Sequence, residues 1–270
     1  MPELPEVEAV RRQLEPVMVG ARIARVELRR PDLRAPFPRR FAQRMQGATT
    51  LALTRRAKYL VASLSSGDSL LMHLGMSGSF RVPHASDAGD AHDHVVFHLS
   101  SGAEVVFNDP RRFGFMDLVR TARVDRHPSL SGLGPEPLSA AFDAAALAAA
   151  CAGKRTSLKA ALLDQQVVAG LGNIYAVEAL HIAGLSPLRR ASTIATPGGA
   201  PREAAGRLAA AIKQVLDEAI HRQISAPYRS DRFRVYDRER EPCRRPRCRG
   251  VIRRRSQAGR STFYCPVCQR

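Results

Sequence analysis

Apolar residues near the start of the chain recur at three- and four-residue intervals: Val7, Val10, Leu14 and Val17. That spacing places them on one face of an α-helix. Pro5 suits a first helical turn, and Glu6 and Glu8 complement the positive end of the helix dipole. From about residue 21 to residue 119 the texture becomes that of strands. Two segments, "YLVASLSSGDSLLMHL" and "HVVFHLSSGAEVVFND", each set an "LSSG" turn between two apolar-rich runs. This is a hairpin signature, and it predicts a β-sandwich or barrel of mostly antiparallel strands. The stretch between them, "SFRVPHASDAGDAHD", reads as a long polar loop.

Residues 121–140 change the pattern. "RHPSLSGLGPEPLS" is rich in Pro, Gly and Ser and reads as a linker. Beyond it the pattern is helical over 142–152, 157–165, 174–183 and 201–223. The second and third of these helices are joined by "VVAGLGN", whose glycines permit positive φ. Helix–turn–helix units of this kind can offer backbone N–H groups to a phosphate.

Charge narrows the partner. The 270 residues carry 42 Lys+Arg against 25 Asp+Glu, a formal charge of +17, and the pI is near 10.9. The simplest partner for that balance is nucleic acid. Glu3, Glu6 and Glu8 spoil a signal-peptide n-region. The most apolar window, "LSAAFDAAALAAAC", contains Asp143 and is too short to span a bilayer. A soluble cytoplasmic protein without a membrane partner is expected. There are four lysines, Lys58, Lys154, Lys159 and Lys213, so 38 of the 42 basic residues are arginine. Each lysine is therefore notable, because lysine can lose its proton where arginine cannot.

Residues 240–270 hold ten arginines, one acid and four of the five cysteines. Cys243-x4-Cys248-x16-Cys265-x2-Cys268 matches a four-thiolate structural zinc site, with no open position for catalysis. So short and charged a tail has little apolar core, and metal binding would supply its folding free energy. Between the pairs, "RGVIRRRSQAGRSTFY" predicts a hairpin turning near 257–259, with Arg260 at the tip able to reach a groove or phosphate. Cys151, alone in an alanine-rich helix, reads as a buried small residue.

Taken in order, "MPELPEVE", "RRAKYL", "HLGMSGS", "HDHV", "NDPRRFG", "LGPEPL", "GLGNIYA.E.L..AG..P" and "GRSTFYCPVCQ" span the chain. Together they closely resemble the formamidopyrimidine-DNA glycosylase family. The resemblance implies an α+β fold: an N-terminal helix plus β-sandwich (2–120), a linker (121–140), a helix-two-turn-helix domain (141–235) and a zinc ribbon (236–270). It implies base-excision repair of oxidised purines in double-stranded DNA by a monomer, with one structural zinc, no organic cofactor and a nucleoid-associated location. Pro2 becomes the nucleophile once Met1 is trimmed, since an α-amine near pKa 7.7–8.0 is partly neutral at physiological pH. Glu3, adjacent to it, is the acid–base group. The resemblance implies that Lys58 assists proton transfer and that Arg260 takes part in late elimination. By the same resemblance His92, Arg111, Arg155 and Asn173 are expected to contact DNA, with Lys159 and His73 as further candidates. The resemblance also implies that Met76, Arg111 and Phe113 fill the void left by a flipped nucleotide. Without the resemblance, Met76 and Phe113 read as core residues.

Two features depart from that family's pattern. Its first zinc pair usually has two intervening residues, whereas "RRPR" supplies four. The segment "HRQISAPYRSDRFRVYDRERE", where the family carries a lesion-capping loop, is short, which bears on lesion preference. Oxidised-pyrimidine specificity, a DNA-damage binder without catalysis and a zinc-ribbon RNA binder are the alternative functions.

Overall fold

The first helix, α1, spans Leu4–Met18 and begins in a reciprocal capping box. Glu3 is the N-cap, and Glu6 accepts the Glu3 backbone N–H at 2.8 Å. Two of the donors that a helix start leaves open are thereby satisfied. Pro5 lies in the first turn, and Leu4, Val7, Leu14 and Met18 are buried. The expected apolar face is present; Val10 and Val17 sit at its edge, partly buried against the same core.

The computed structural model describes residues 2–83, 87–225 and 233–270. The chain divides into two compact units, Met1–Ser131 and Gly132–Arg270. The first contains two four-stranded antiparallel sheets. One has the order β1 (Ile23–Leu28), β6 (Asp93–Leu99), β7 (Glu104–Asn108), β5 (Ser79–Arg81). The other has the order β2 (Thr50–Arg56), β3 (Tyr59–Leu64), β4 (Asp68–His73), β8 (Phe115–Arg120). Ile23, Val26, Phe97 and Phe107 of the first sheet share one core with Leu60, Leu70, Met72 and Met116 of the second. This is a sandwich, and α1 packs on β2 and β3.

Both "LSSG" segments form antiparallel hairpins, β3–β4 and β6–β7. Two elements differ from the sequence reading. A short helix, α2 (Phe41–Met45), interrupts the strand region and buries Phe41 and Met45. The segment read as a polar loop opens with β5, where Phe80 is buried against Phe107 with ring centroids 5.0 Å apart. One buried residue in a three-residue strand is too short a pattern to register as alternation. Residues 84–86 of that segment lie outside the described residues.

The second unit contains α3 (Ala144–Cys151), α4 (Leu158–Leu163), α5 (Asn173–Ala183) and α6 (Glu203–Ser225), then the hairpin β9 (Arg253–Gln257) and β10 (Arg260–Tyr264). Side-chain caps from Asp143 and Ser157 start α3 and α4. Gly170, in the turn before α5, has φ +81. Cys151 is fully buried and its thiol is pushed up to about 11 by that burial. A small core of Val177, Val235, Ile252 and Phe263 surrounds the cysteines of the tail. No helix among the described residues is long and apolar enough to cross a membrane.

Candidate functional site

In the first unit, Pro2 is half-buried and Glu3 is 3% exposed, held where the capping box begins α1. Lys58 is 8% exposed and lies in the tight β2–β3 turn, directly after Ala57, whose φ is +53. A buried lysine argues against a solvated strand charge.

Glu8 lies just past the first turn of α1, and its charge is matched to arginines. Its carboxylate accepts from Arg11, Arg12 and Arg55, the last at 3.1 Å. Arg55 also donates to the Ala57 carbonyl at 3.0 Å. The Glu8–Arg55 pair thus ties α1 to the turn that carries Lys58. Burial opposes ionisation of Glu8, but the arginine hydrogen bonds and charges outweigh it and hold the carboxyl below its ordinary range.

His73 ends β4. Its Nδ1 accepts the Gly75 N–H at 3.0 Å, which leaves Nε2 to carry the ring proton. Burial, with the positive charges of Lys58 and Arg34, pushes its pKa down to about 4. His73, Tyr59, Arg34, Phe113 and Phe115 line a cavity of about 390 Å³.

Met76 and Phe113 are 43% and 41% exposed, so neither is a core residue. The Arg111 guanidinium lies over the Phe113 ring, 4.9 Å from its centroid. Arg111 and His92 are exposed. The three loops carrying these side chains are knotted by Asp109, which is fully buried. Asp109 accepts from Ser77 Oγ at 2.5 Å and from the Gly114 N–H at 2.7 Å. Ser77 Oγ in turn accepts the Arg111 N–H at 3.1 Å, and the Asp109 N–H donates to the His92 carbonyl. Gly75 completes the fit: its φ is +65, and a Cβ there would meet the Phe113 carbonyl at 2.3 Å. Sequence reasoning missed Asp109 and Ser77. Both lie inside the quoted motifs, but nothing in their spacing distinguishes a knot from an exposed ligand.

In the second unit, Arg155 and Arg260 are exposed, Arg260 directly after the turn between β9 and β10. Asn173 begins α5 and donates from Nδ2 to the Ser261 carbonyl at 3.1 Å. Lys159 is only 1% exposed; its Nζ donates to the same carbonyl at 3.2 Å and to Thr262 Oγ1 at 2.6 Å. Two helices therefore hold the strand that begins with Arg260. Gln165, also missed, shapes the turn before α5 by donating to the Leu163 and Leu171 carbonyls and accepting from Gly170. Glu178 is buried and accepts the backbone N–H groups of Arg234, Val235 and Tyr236 at 2.8–2.9 Å. It anchors the chain just after residues 226–232. Residues 226–232 of the segment expected to cap a lesion lie outside the described residues.

The sulfurs of Cys243, Cys248, Cys265 and Cys268 all lie within 4.8 Å of one another. Cys243 and Cys268 are 3.8 Å apart, and Cys248 and Cys265 are 3.6 Å apart. A tetrahedron with zinc–sulfur bonds of about 2.3 Å has edges of about 3.8 Å, so the set fits zinc. Backbone N–H groups of Arg245 and Gly250 donate to Cys243 and Cys248, each at 3.4 Å, as suits thiolates. Arg247 adopts φ +62 and absorbs the longer spacing of the first pair. A Cβ on Gly250 would meet the Cys265 sulfur at 2.4 Å. Burial and the neighbouring thiols push the Cys268 thiol up, a cost that a bound cation removes.

Comparison with known proteins covers nearly the whole chain. Residues 1–116 match the formamidopyrimidine-DNA glycosylase N-terminal domain, residues 133–228 the H2TH domain of the same enzyme, and residues 240–270 a zinc finger found in FPG and IleRS. Formamidopyrimidine-DNA glycosylases of Bradyrhizobium sp. and Methylocella silvestris are 59% and 56% identical, each over all of both chains. The first alignment runs over 295 positions against 270 residues here, so that relative carries segments this chain lacks. Among solved structures, the Lactococcus lactis enzyme bound to abasic-site DNA aligns with TM-score 0.88 and 30% identity over all of both chains. MutM in complex with DNA containing carbocyclic 8-oxo-G aligns with TM-score 0.88 and 31% identity, again over all of both chains.

Proposed function

The chain belongs to the formamidopyrimidine-DNA glycosylase family, and from that premise we propose a division of labour among its residues. It is a bifunctional glycosylase and abasic-site lyase of base-excision repair, acting on oxidised purines in duplex DNA. Residues 2–120 carry the chemistry, 121–140 link, 141–235 grip DNA and 236–270 form the zinc-held hairpin. The protein works in the cytoplasm, at the nucleoid.

The observation that carries the catalytic reading is a buried carboxyl, Glu3, one peptide bond from Pro2. Once Met1 is removed, the Pro2 nitrogen attacks the sugar C1′ and the damaged base leaves, taking a proton. Glu3 donates a proton to open the sugar ring and shuttles protons afterwards. The iminium ion makes the C2′ proton acidic; its loss breaks the C3′–O bond and expels the 3′ phosphate. A second, δ-elimination releases the 5′ phosphate, with Arg260 assisting. Lys58, buried beside His73, assists proton transfer at the nucleotide.

Met76, Arg111 and Phe113 fill the gap left by the extruded nucleotide, and the Arg111 guanidinium bonds the orphaned cytosine. His92, Arg155 and Asn173 contact phosphates, and His73 does so as a neutral N–H donor. Lys159 serves the interface by fixing the strand that presents Arg260. The zinc is structural: four thiolates leave no coordination position for substrate.

Borohydride trapping on a duplex with 8-oxoguanine opposite cytosine, followed by mass spectrometry, tests this. The expected adduct is on Pro2. An adduct on Lys58 would keep the enzyme but overturn the nucleophile. Tight binding with neither adduct nor strand cleavage would leave a DNA-damage binder.

A further inference from the structure

We propose that His181, on α5, is a positioning residue of the zinc site: its Nε2–H donates a hydrogen bond to the Cys243 thiolate and couples the metal to that helix.

His181 is 3% exposed. Its Nε2 lies 3.3 Å from the Cys243 sulfur and 3.9 Å from the Cys268 sulfur. Those distances are contacts to two members of the four-sulfur set, yet the ring is not one of the four that lie mutually close. The imidazole therefore sits against one edge of the site.

The tautomer follows from what surrounds the ring. Nδ1 is buried and has no hydrogen-bond partner among the described residues. A proton there would be a stranded buried donor, which folded proteins avoid more strictly than an unused acceptor. It would also turn the Nε2 lone pair toward two thiolates. A proton on Nε2 avoids both penalties and gives Cys243 a charge-assisted bond. Cys243 then accepts from His181 on one side and from the Arg245 N–H on the other. Hydrogen bonds that reduce the charge on a tetrathiolate and orient its sulfurs raise metal affinity and lower thiolate reactivity.

The longer first pair strengthens the link. "RRPR" places Arg245 where its guanidinium donates to the His181 carbonyl, and to the Ile182 carbonyl at 3.1 Å. Arg245 thus adds donors to carbonyls at the C-terminus of α5, where the His181 carbonyl also accepts the capping Gly184 N–H. The same knuckle that supplies Cys243 grips the helix whose histidine bonds Cys243. The opposite end of α5 is Asn173, which holds the Ser261 carbonyl beside Arg260. Zinc and the tip of the hairpin are connected to the two ends of one helix.

The inference rests on the structural zinc and not on the glycosylase reaction, and its test uses no DNA. The full-length zinc protein is compared with His181→Phe, which keeps a ring without a donor, and His181→Gln, which restores an N–H. Zinc affinity is read by competition with a chromogenic chelator, thiolate reactivity with N-ethylmaleimide, and ligand field from the cobalt(II) form. His181→Phe should weaken zinc binding by about 10- to 100-fold. It should also speed alkylation and shift the sulfur-to-cobalt charge-transfer band while keeping tetrahedral d–d bands. His181→Gln should recover most of the loss. Unchanged affinity and spectrum in His181→Phe would overturn the proposal, as would equal losses in both variants, which would mean packing alone. If the variants do not fold, the imidazole nitrogen shifts of the ¹⁵N-labelled wild-type zinc form decide. An Nε2–H tautomer supports the proposal, and an Nδ1–H tautomer or a metal-bound nitrogen overturns it.

Discussion

At the scale of single residues, His73 shows burial and charge acting together. A histidine with its folded pKa near 4 and its unfolded value near 6.5 is neutral in the fold across the working range. Between those values the unfolded chain binds more protons than the folded one. Stability from this group is therefore fully present above about pH 6.5, declines as pH falls, and is lost below about 4. A histidine ring-proton NMR titration should show no His73 inflection between pH 5.5 and 9, and His73→Gln should flatten the acid limb of the stability profile. An inflection near 6.5 would contradict the burial and charge assigned here. Glu8 teaches the same lesson for an acid. Its place near a helix start suggested the dipole, but its charge is matched to Arg55, which holds the Lys58 turn.

At the scale of elements, two contacts can be broken separately. Gly75→Ala adds a Cβ where the Phe113 backbone stands, in a left-handed conformation that alanine resists. The expected result is a loss of about tenfold or more in 8-oxoguanine excision, since displacement by about an ångström can cost that much. Thermal stability should fall by a smaller proportion; single-turnover kinetics set beside a melting curve would separate the two. Glu178 accepts three backbone N–H groups from 234–236 while buried. Glu178→Ala leaves those donors stranded and should cost about 3 kcal/mol or more in urea unfolding. A change within about 0.5 kcal/mol would show that water replaces the carboxylate there.

For the whole molecule, +17 of net charge makes DNA affinity a function of salt. Each neutralised phosphate contributes about −0.9 to the slope of log K against log salt. With the contacts proposed for Arg155, Arg260 and their neighbours, the slope should be about −3 or steeper. Arg155→Ala should lessen it by about one, at lesion and undamaged sites alike, because phosphate contacts position without reading sequence. Fluorescence anisotropy over a salt series reads both; a slope that Arg155→Ala leaves unchanged removes Arg155 from the interface.

Features set by neighbours in the chain were legible in the sequence alone. Glu3 follows Pro2 covalently, the α1 face repeats at helical intervals, both "LSSG" turns close hairpins, and four cysteines at ribbon spacing meet around one point. In the first three cases neighbours along the chain are neighbours in space; the cysteines, up to 25 positions apart, were legible because paired thiolates have a shared metal to meet around. Burial and distant pairing were not legible. Asp109 reaches Ser77 across 32 positions, Glu178 reaches Val235 across 57, and Lys159 reaches Thr262 across 103. Local pattern carries no trace of such partners, because the same Asp, Glu or Lys could as well face water. Only the packed fold decided which charges are buried in support and which, like Arg155 and Arg260, remain exposed.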